Sequence, residues 1–241
     1  MTLHGPRIRA LSSMGMHAVL RTLADRYGHR TGVRIEVESA GGADAARRIR
    51  EGENFDVTVL VDDAVQSLES ARCVVYGTRI ALASSEIAIA VRADAPQPDM
   101  GTEEAVRGLV AGASRIGYSA GPSGAHLAHL LHRWGLAGAV RSRLVPAQAG
   151  VPVGMLVATG RAEIGFQQLS ELVLVPGIRV AGTLPPGTGI TTVFSGGVCA
   201  TSGQFHAARA WLSFLASPES DGVKRQNGMA PPARGGHARF G

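Results

Sequence analysis

Four turns rich in glycine and serine are the residues of this chain best suited to chemistry, because each comes directly before a predicted helix. The first amides of a helix have no partner within it and carry the positive end of its dipole, so they bind carboxylates and other oxyanions. The residues that supply amides or hydroxyls in these turns are Ser12, Ser13, Gly41, Gly42, Ser119, Ser123, Gly124 and Val151. A single turn of this kind usually only caps its helix. Several converging turns predict a pocket for a small anion.

The clearest of these turns lies in residues 115–131. A short apolar strand, Ile116–Tyr118, runs into a serine, glycine and proline turn, and an amphipathic helical pattern follows from Gly124. In the fourth turn, Pro152 is suited to a first helical turn because the proline ring fixes φ and lacks an N–H that the helix would leave unpaired.

Three ionisable side chains, His126, Glu171 and Asp62, are candidates for a general base. Such a base removes a proton only within hydrogen-bond reach of it, and the sequence leaves a structural role open for each. His126, His129 and His132 follow one another at intervals of three residues and spread over a broad face of a helix. A metal site usually needs a further carboxylate or histidine ligand from elsewhere, and the sequence indicates none. We therefore predict no metal and no cofactor.

The composition is that of an ordinary globular protein. The chain has 241 residues, of which 45% are hydrophobic and 18% charged, and a formal net charge of +5. A nucleic-acid partner is not predicted, because Lys224 is the only lysine, the arginines alternate with acidic residues, and aromatic residues make up 5% of the chain. Cys73 and Cys199 are isolated and lack metal-type spacing.

The first residues of the sequence bear on where the protein acts. Residues 1–6 lack the basic start and apolar run of a secretory signal, and no segment is predicted to span a membrane. As written, the chain is predicted to be cytoplasmic. It is predicted to be periplasmic if the start is truncated.

Strand and helix patterns alternate along the chain, which predicts an α/β architecture with mainly parallel sheets. The predicted helices lie at residues 16–27, 43–51, 102–110, 124–134, 153–159 and 207–215, with a short one after Asp62. The predicted strands lie at residues 8–11, 31–37, 55–61, 87–91, 116–118, 162–168, 178–182 and 191–198. The first helix is expected to end near Gly28, and residues 234–241 are expected to form a tail.

The order of these motifs resembles the type 2 periplasmic-binding-protein fold. The resemblance is carried by the early serine turn, the strand at residues 31–37, the glycine turn after it, the strand at residues 55–61 and the closing segment at residues 214–220. It is similar to the molybdate-binding components of ABC transporters. The resemblance implies two α/β lobes, residues 1–84 with 191–241 and residues 85–190, joined by two crossovers and closing around an anion.

The chain departs from the molybdate pattern at two places. Molybdate binders usually offer a serine hydroxyl from each of the first two turns and a late tyrosine, whereas here the second turn has Gly41 and Gly42, and Gln167 takes the tyrosine position. The turn at residues 150–152 and the segment at residues 166–172 resemble a branch that includes aconitate isomerase. This resemblance adds Gln167 and Gln168 to the expected ligand-binding residues.

Together these patterns predict a solute-binding protein that recognises a di- or tricarboxylate between two lobes. Two alternatives stay open: an isomerase of the aconitate-isomerase type with a general base in the cleft, and a transport component for a molybdate-type oxyanion. An ABC transporter permease is the expected partner only if the protein is secreted.

Overall fold

The computed structural model describes residues 7–148 and 150–232. Its strands are β1 (Arg7–Ser13), β2 (Arg34–Ala40), β3 (Val57–Val61), β4 (Ile80–Arg92), β5 (Ile116–Tyr118), β6 (Leu144–Pro146), β7 (Ile164–Gln168), β8 (Ile178–Thr183) and β9 (Thr191–Val198). Its helices are α1 (His17–Thr31), α2 (Gly42–Arg50), α3 (Asp62–Ser70), α4 (Glu103–Gly112), α5 (Pro122–Arg133), α6 (Ala137–Val140), α7 (Val153–Ala158), α8 (Leu169–Leu172), α9 (Phe205–Ala216) and α10 (Asp221–Gln226). Within these ranges, no helix has the length and apolar character needed to cross a bilayer.

The strands lie in the order β2-β1-β3-β9-β4-β7-β5-β6, and β8 pairs with β4. β1, β2 and β3 are parallel, as are β5, β6 and β7, while β9 runs antiparallel to both β3 and β4. The long β4 changes partners along its length: its part up to Glu86 pairs with β9, and its part from Ile87 pairs with β7 and β8. The predicted α/β architecture is confirmed. The expectation of mainly parallel sheets is wrong, because four strand pairs among the described residues are parallel and four, those of β9 with β3 and β4 and of β4 with β7 and β8, are antiparallel.

The carboxyl ends of the two parallel strand groups carry the loops of interest. In β1, β2 and β3 these ends are Ser13, Ala40 and Val61, and in β5 and β7 they are Tyr118 and Gln168. A helix or a 3-10 turn begins directly or one residue after β1, β2, β3 and β7, and β5 leads through a short serine turn into α5. Ligands of open α/β sheets bind outside the carboxyl ends of the strands, so this topology places the predicted turns where a ligand would bind.

Two main hydrophobic cores support these two groups. In the first, Tyr27 of α1 packs against Trp211 and Phe214 of α9 with ring centroids 5.1 Å apart. In the second, the fully buried Phe166 of β7 packs in a cluster with Leu127 and Leu130 of α5. We call residues 7–84 with 191–232 the first lobe and residues 85–190 the second, following the predicted division, whose boundaries stay a prediction.

Both cysteines carry free thiols. Cys199 directly follows β9 and pairs with Val74 in an isolated bridge. Burial, followed by the negative charge of Asp56, raises the pKa of the Cys199 thiol to about 12. A thiol of such high pKa is a buried packing group and a poor nucleophile.

Candidate functional site

The first two turns of the chain meet at the edge of the first lobe. Ser13 ends β1, and Gly42 opens α2 after β2; a Cβ on Gly42 would lie 4.0 Å from the Cβ of Ser13. Ser13 is 7% exposed, and its hydroxyl has no hydrogen-bond partner in the described residues. Buried hydroxyls in folded proteins are nearly always paired, so this one has unused capacity for a ligand.

Glu171 reaches this turn from the second lobe. It lies in α8, and a Cβ on Gly15 would stand 3.8 Å from Glu171 Oε1 and 2.9 Å from Cζ of Phe194. Gly15 therefore leaves the space that the phenyl ring fills and keeps the turn open beside the carboxylate. Gly42 thus lies beside Ser13, and Glu171 lies beside Gly15, two residues after Ser13 in the same turn.

Gln167 holds Glu171 in place. Its Nε2 donates to Glu171 Oε2 at 2.6 Å, and its Oε1 accepts from the amide of Val153, the first residue of α7, at 2.7 Å. Gln167 is 2% exposed. Since both atoms of its side-chain amide are used inside the protein, Gln167 orients Glu171 in this arrangement instead of facing a ligand.

The burial of Glu171 sets its protonation. Burial raises the pKa of the Glu171 carboxyl to about 7, and the hydrogen bond from Gln167 opposes only part of that effect. Near neutral pH both forms of the group are populated, so it can donate a proton or hydrogen bond in one form and accept a proton in the other.

A chain of three side chains lies behind the first turn, on the side of the sheet that α1 covers. The hydroxyls of Ser12 and Ser39 lie 2.8 Å apart, and Nδ1 of His17 lies 2.9 Å from Ser39 Oγ. Burial and then the charge of Arg21 lower the pKa of His17. The sequence patterns did not identify His17 and Ser39 as site residues. The available signal was their position: His17 follows the first turn, and Ser39 is the last serine before the second turn at Gly41 and Gly42.

Asp62 is held in an ion pair. Arg79 Nη1 donates to both oxygens of its carboxylate, at 2.7 and 2.8 Å, and Ser195 Oγ donates to Oδ1 at 2.5 Å. Burial raises the pKa of the Asp62 carboxyl, but the hydrogen bonds from Ser195 and Arg79 and the arginine charge outweigh it, so the pKa is lowered. This carboxylate is ionised and satisfied, which favours a structural role at the start of α3.

His126 is also engaged in a structural contact. Its Nε2 lies 2.7 Å from the carbonyl oxygen of Thr188, which ties α5 to the loop before β9. Its ring stacks on that of His129 with centroids 6.2 Å apart. Across residues 7–148 and 150–232, no group of three or more His, Cys, Asp or Glu side chains is placed to hold a metal ion.

The turn before α5 satisfies most of its own polar groups. The hydroxyls of Ser119 and Ser123 lie 3.0 Å apart, and the Gly124 amide donates to the carbonyl oxygen of Gly121 at 3.1 Å. The Val151 amide is engaged in the same way, with Gln148 O at 3.0 Å. The donor role predicted for Gly124 and Val151 would require these bonds to open, and it stays a prediction.

Gln168 contacts the two segments predicted to connect the lobes, residues 84–87 and 190–193. With its amide oriented so that both atoms are satisfied, it accepts from Thr192 Oγ1 at 2.7 Å and donates to the carbonyl oxygens of Ser85 and Glu86 at 3.1 and 3.2 Å. It therefore joins β7 to both segments that connect the lobes. Ser12 and Gly41 complete the predicted set: Ser12 is buried behind the first turn, and Gly41 is exposed at the start of α2.

Comparison with known proteins gives consistent results. A family model described as bacterial extracellular solute-binding protein matches residues 8–230. An aconitate isomerase from Pseudomonas sp. is 34% identical over 232 residues, which cover 93% of this chain and 87% of that protein. The periplasmic molybdate-binding protein of Azotobacter vinelandii superposes with a TM-score of 0.79 at 18% identity, covering 93% of this chain and 99% of that one. The PBP AgtB of A. tumefaciens R10, in complex with agropinic acid, superposes with a TM-score of 0.72 at 11% identity, covering 94% and 83%. These likenesses confirm the predicted type 2 periplasmic-binding-protein fold.

Proposed function

The chain belongs to the bacterial extracellular solute-binding protein family, and we propose that it binds a small di- or tricarboxylate between its two lobes. The observation that carries the proposal is the Ser13 hydroxyl, which is buried and without a partner in the described residues, beside the N-terminus of α2. A ligand carboxylate would accept from this hydroxyl and from the first amides of α2. Should the protein act outside the cytoplasm, an ABC transporter permease would be its partner.

The side chains around Ser13 favour an organic acid over a tetrahedral oxyanion. The second turn offers Gly41 and Gly42, without a second hydroxyl, and the second lobe presents the carboxyl group of Glu171. A protonated Glu171 donates a hydrogen bond to a ligand carboxylate, and its raised pKa makes that form available near neutral pH. The aconitate isomerase relative supports the same ligand class, because aconitate is a tricarboxylate.

A second candidate function is isomerisation of such an acid, and Glu171 favours it. Moving a double bond along an aconitate-type skeleton requires a base that removes a proton from the CH₂ beside a carboxylate and an acid that returns one to the other end of the allylic system. The ionised Glu171 would take the first proton and, once protonated, would supply the second. A pKa of about 7 suits both steps at neutral pH.

Titration calorimetry with cis-aconitate, trans-aconitate, citrate, molybdate and sulfate tests the binding proposal. We expect heat from at least one of the organic acids and none from molybdate or sulfate. Binding of molybdate or sulfate alone would overturn the proposed ligand class.

Proton NMR of either aconitate isomer in deuterated water, with the protein present, tests the isomerase candidate. Turnover would give the other isomer with deuterium at the transferred position, and Glu171→Gln would abolish it while binding persists. A protein that binds the acid but gives neither conversion nor exchange is a binding protein without this activity.

A further inference from the structure

The hydrogen-bond chain of Ser12, Ser39 and His17 links the first two turns from behind. Ser12 lies at the end of β1 and is fully buried, Ser39 lies at the end of the neighbouring β2, and the two are direct partners in the parallel register. His17 is the first residue of α1, four residues after Ser13. These hydrogen bonds therefore connect the two segments whose Ser13 hydroxyl and Gly42 amide form the proposed site.

The direction of the hydrogen bonds follows from the burial of Ser12. Its hydroxyl has one hydrogen, and Ser39 Oγ, at 2.8 Å, is the side-chain partner that the described residues offer it. If Ser12 donates to Ser39, then Ser39 donates to Nδ1 of His17 at 2.9 Å, and each hydrogen has an acceptor. In the opposite direction the Ser12 hydrogen would be buried without an acceptor, which costs free energy. If Ser39 accepted from both neighbours, its own hydrogen would have no acceptor among the contacts of the described residues, so the first arrangement is the one that pairs every hydrogen within the protein.

A His17 whose Nδ1 accepts a hydrogen bond carries its own proton on Nε2. The imidazole stays neutral for two reasons: burial and the charge of Arg21 lower its pKa, and the positive end of the α1 dipole disfavours an imidazolium. His17 is partly exposed, and with Nδ1 directed to Ser39 its Nε2 is the ring nitrogen left for a further partner. A neutral N–H donor suits an anionic ligand and retains its hydrogen across the physiological pH range.

We propose that His17 is a specificity-determining residue of this site, whose Nε2–H donates a hydrogen bond to a carboxylate oxygen of the bound acid. The proposal rests on the proposed carboxylate function. It adds a third donor, from α1, to the Ser13 hydroxyl and the α2 amides, so that the acid is held by groups from both turns of the first lobe.

Nitrogen NMR of the histidine side chains tests the tautomer without any ligand. In two-bond ¹⁵N–¹H spectra at pH 7, we expect the Nδ1 of His17 to show the shift of an unprotonated, hydrogen-bonded nitrogen and the Nε2 that of a protonated one. The His17→Phe variant assigns the signals by their loss. A protonated Nδ1 in the wild type would overturn the proposal, because Nε2 would then be an acceptor.

Calorimetry with trans-aconitate and citrate tests the contact itself. We expect His17→Phe to weaken binding about tenfold or more, since a hydrogen bond to a charged group is lost, and His17→Gln to retain most of the affinity because its amide places an N–H near the Nε2 position. His29→Phe, at the exposed far end of the same helix, is the matched control and should leave the affinity unchanged.

The outcomes separate the two proposals. If the wild type binds an acid and His17→Phe binds it equally, the His17 contact is refuted while the carboxylate function stands. If the wild type binds neither acid, the carboxylate function fails and the contact fails with it. Ser39→Ala, which breaks the chain but leaves the imidazole, gives a second test if His17→Phe does not fold: we expect a mixture of tautomers and a smaller loss of affinity.

Discussion

The turn after β1 and the turn before α5 both follow a parallel strand with serine and glycine, yet they use their polar groups differently. Before α5, Ser119 and Ser123 pair with each other, and the Gly124 amide donates to Gly121. After β1, the Ser13 hydroxyl is buried with no partner in the described part of the chain, and Glu171 faces the turn from the other lobe. The first arrangement stabilises a helix start, whereas the second keeps capacity for a ligand.

The largest effect that separates the two turns is expected at their glycines. A Cβ on Gly124 would lie 1.8 Å from the carbonyl oxygen of Ser119, so Gly124→Ala requires the backbone to move and should cost about 3 kcal/mol or more of unfolding free energy. Gly42→Ala is the matched change in the other turn, where the new Cβ meets only ordinary contact, and it should change stability by less than about 1 kcal/mol. Urea unfolding of both variants measures the difference. Equal losses would show that the two turns are packed alike.

The next largest effect is the dependence of folding stability on pH, which Glu171 is expected to cause. Because the folded pKa of about 7 lies above the ordinary value of 4.5, the folded state holds this proton more tightly than the unfolded state, and stability falls as pH rises from 4.5 to 7. Glu171→Gln should remove that dependence and make the protein about 3 kcal/mol more stable than wild type at pH 8. Unfolding curves at pH 4.5, 6 and 8 check this. Parallel pH profiles of wild type and variant would mean that Glu171 is not buried as described.

At Ser13 the expected effect is on ligand affinity. Ser13→Ala should weaken binding of trans-aconitate about tenfold, since a hydroxyl that donates to a carboxylate is lost. Its stability should stay the same or rise by a few tenths of a kcal/mol, because no internal hydrogen bond is broken. Calorimetry and thermal unfolding of the same sample measure both quantities. A large loss of stability would reveal an internal partner for this hydroxyl.

The smallest effect is expected at Ser123, in the turn leading into α5, whose hydroxyls pair with each other. Ser123→Ala removes one of the two paired hydroxyls and should cost about 1 kcal/mol of stability through the unpaired partner. Its affinity for trans-aconitate should stay within about twofold of wild type. A tenfold loss of affinity at Ser123 would show that the second lobe's turn also contacts the acid.

The sequence patterns predict the alternation of strands and helices well, because buried strands such as 55–61 and amphipathic helices have distinct periods. They predict the boundaries less well. The first helix was expected to end near Gly28, but α1 continues to Thr31 and ends at Gly32, whose φ of 74° is the left-handed conformation that glycine favours at a helix end. β4 begins at Ile80, seven residues before the predicted strand, since pairing with β9 overrides the weak strand propensity of its alanines and serines.

The sequence predicts the candidate site only in part. The turns and Glu171 stand out in the sequence by residue type, but which turn remains unsatisfied depends on distances that only the packing sets. Residues 115–131 have the strongest motif, yet their hydroxyls pair with each other. His17 bonds to Ser39, 22 positions later in the sequence, and no local pattern signals that contact.

A crystal structure of the protein with trans-aconitate bound tests most directly the claim that the turn after β1 is the anion site. We predict one carboxylate of the acid within hydrogen-bond distance of Ser13 Oγ and the first amides of α2, with Glu171 facing the same molecule. An acid bound only at the turn before α5, with the Ser13 hydroxyl still unpaired, would contradict the account.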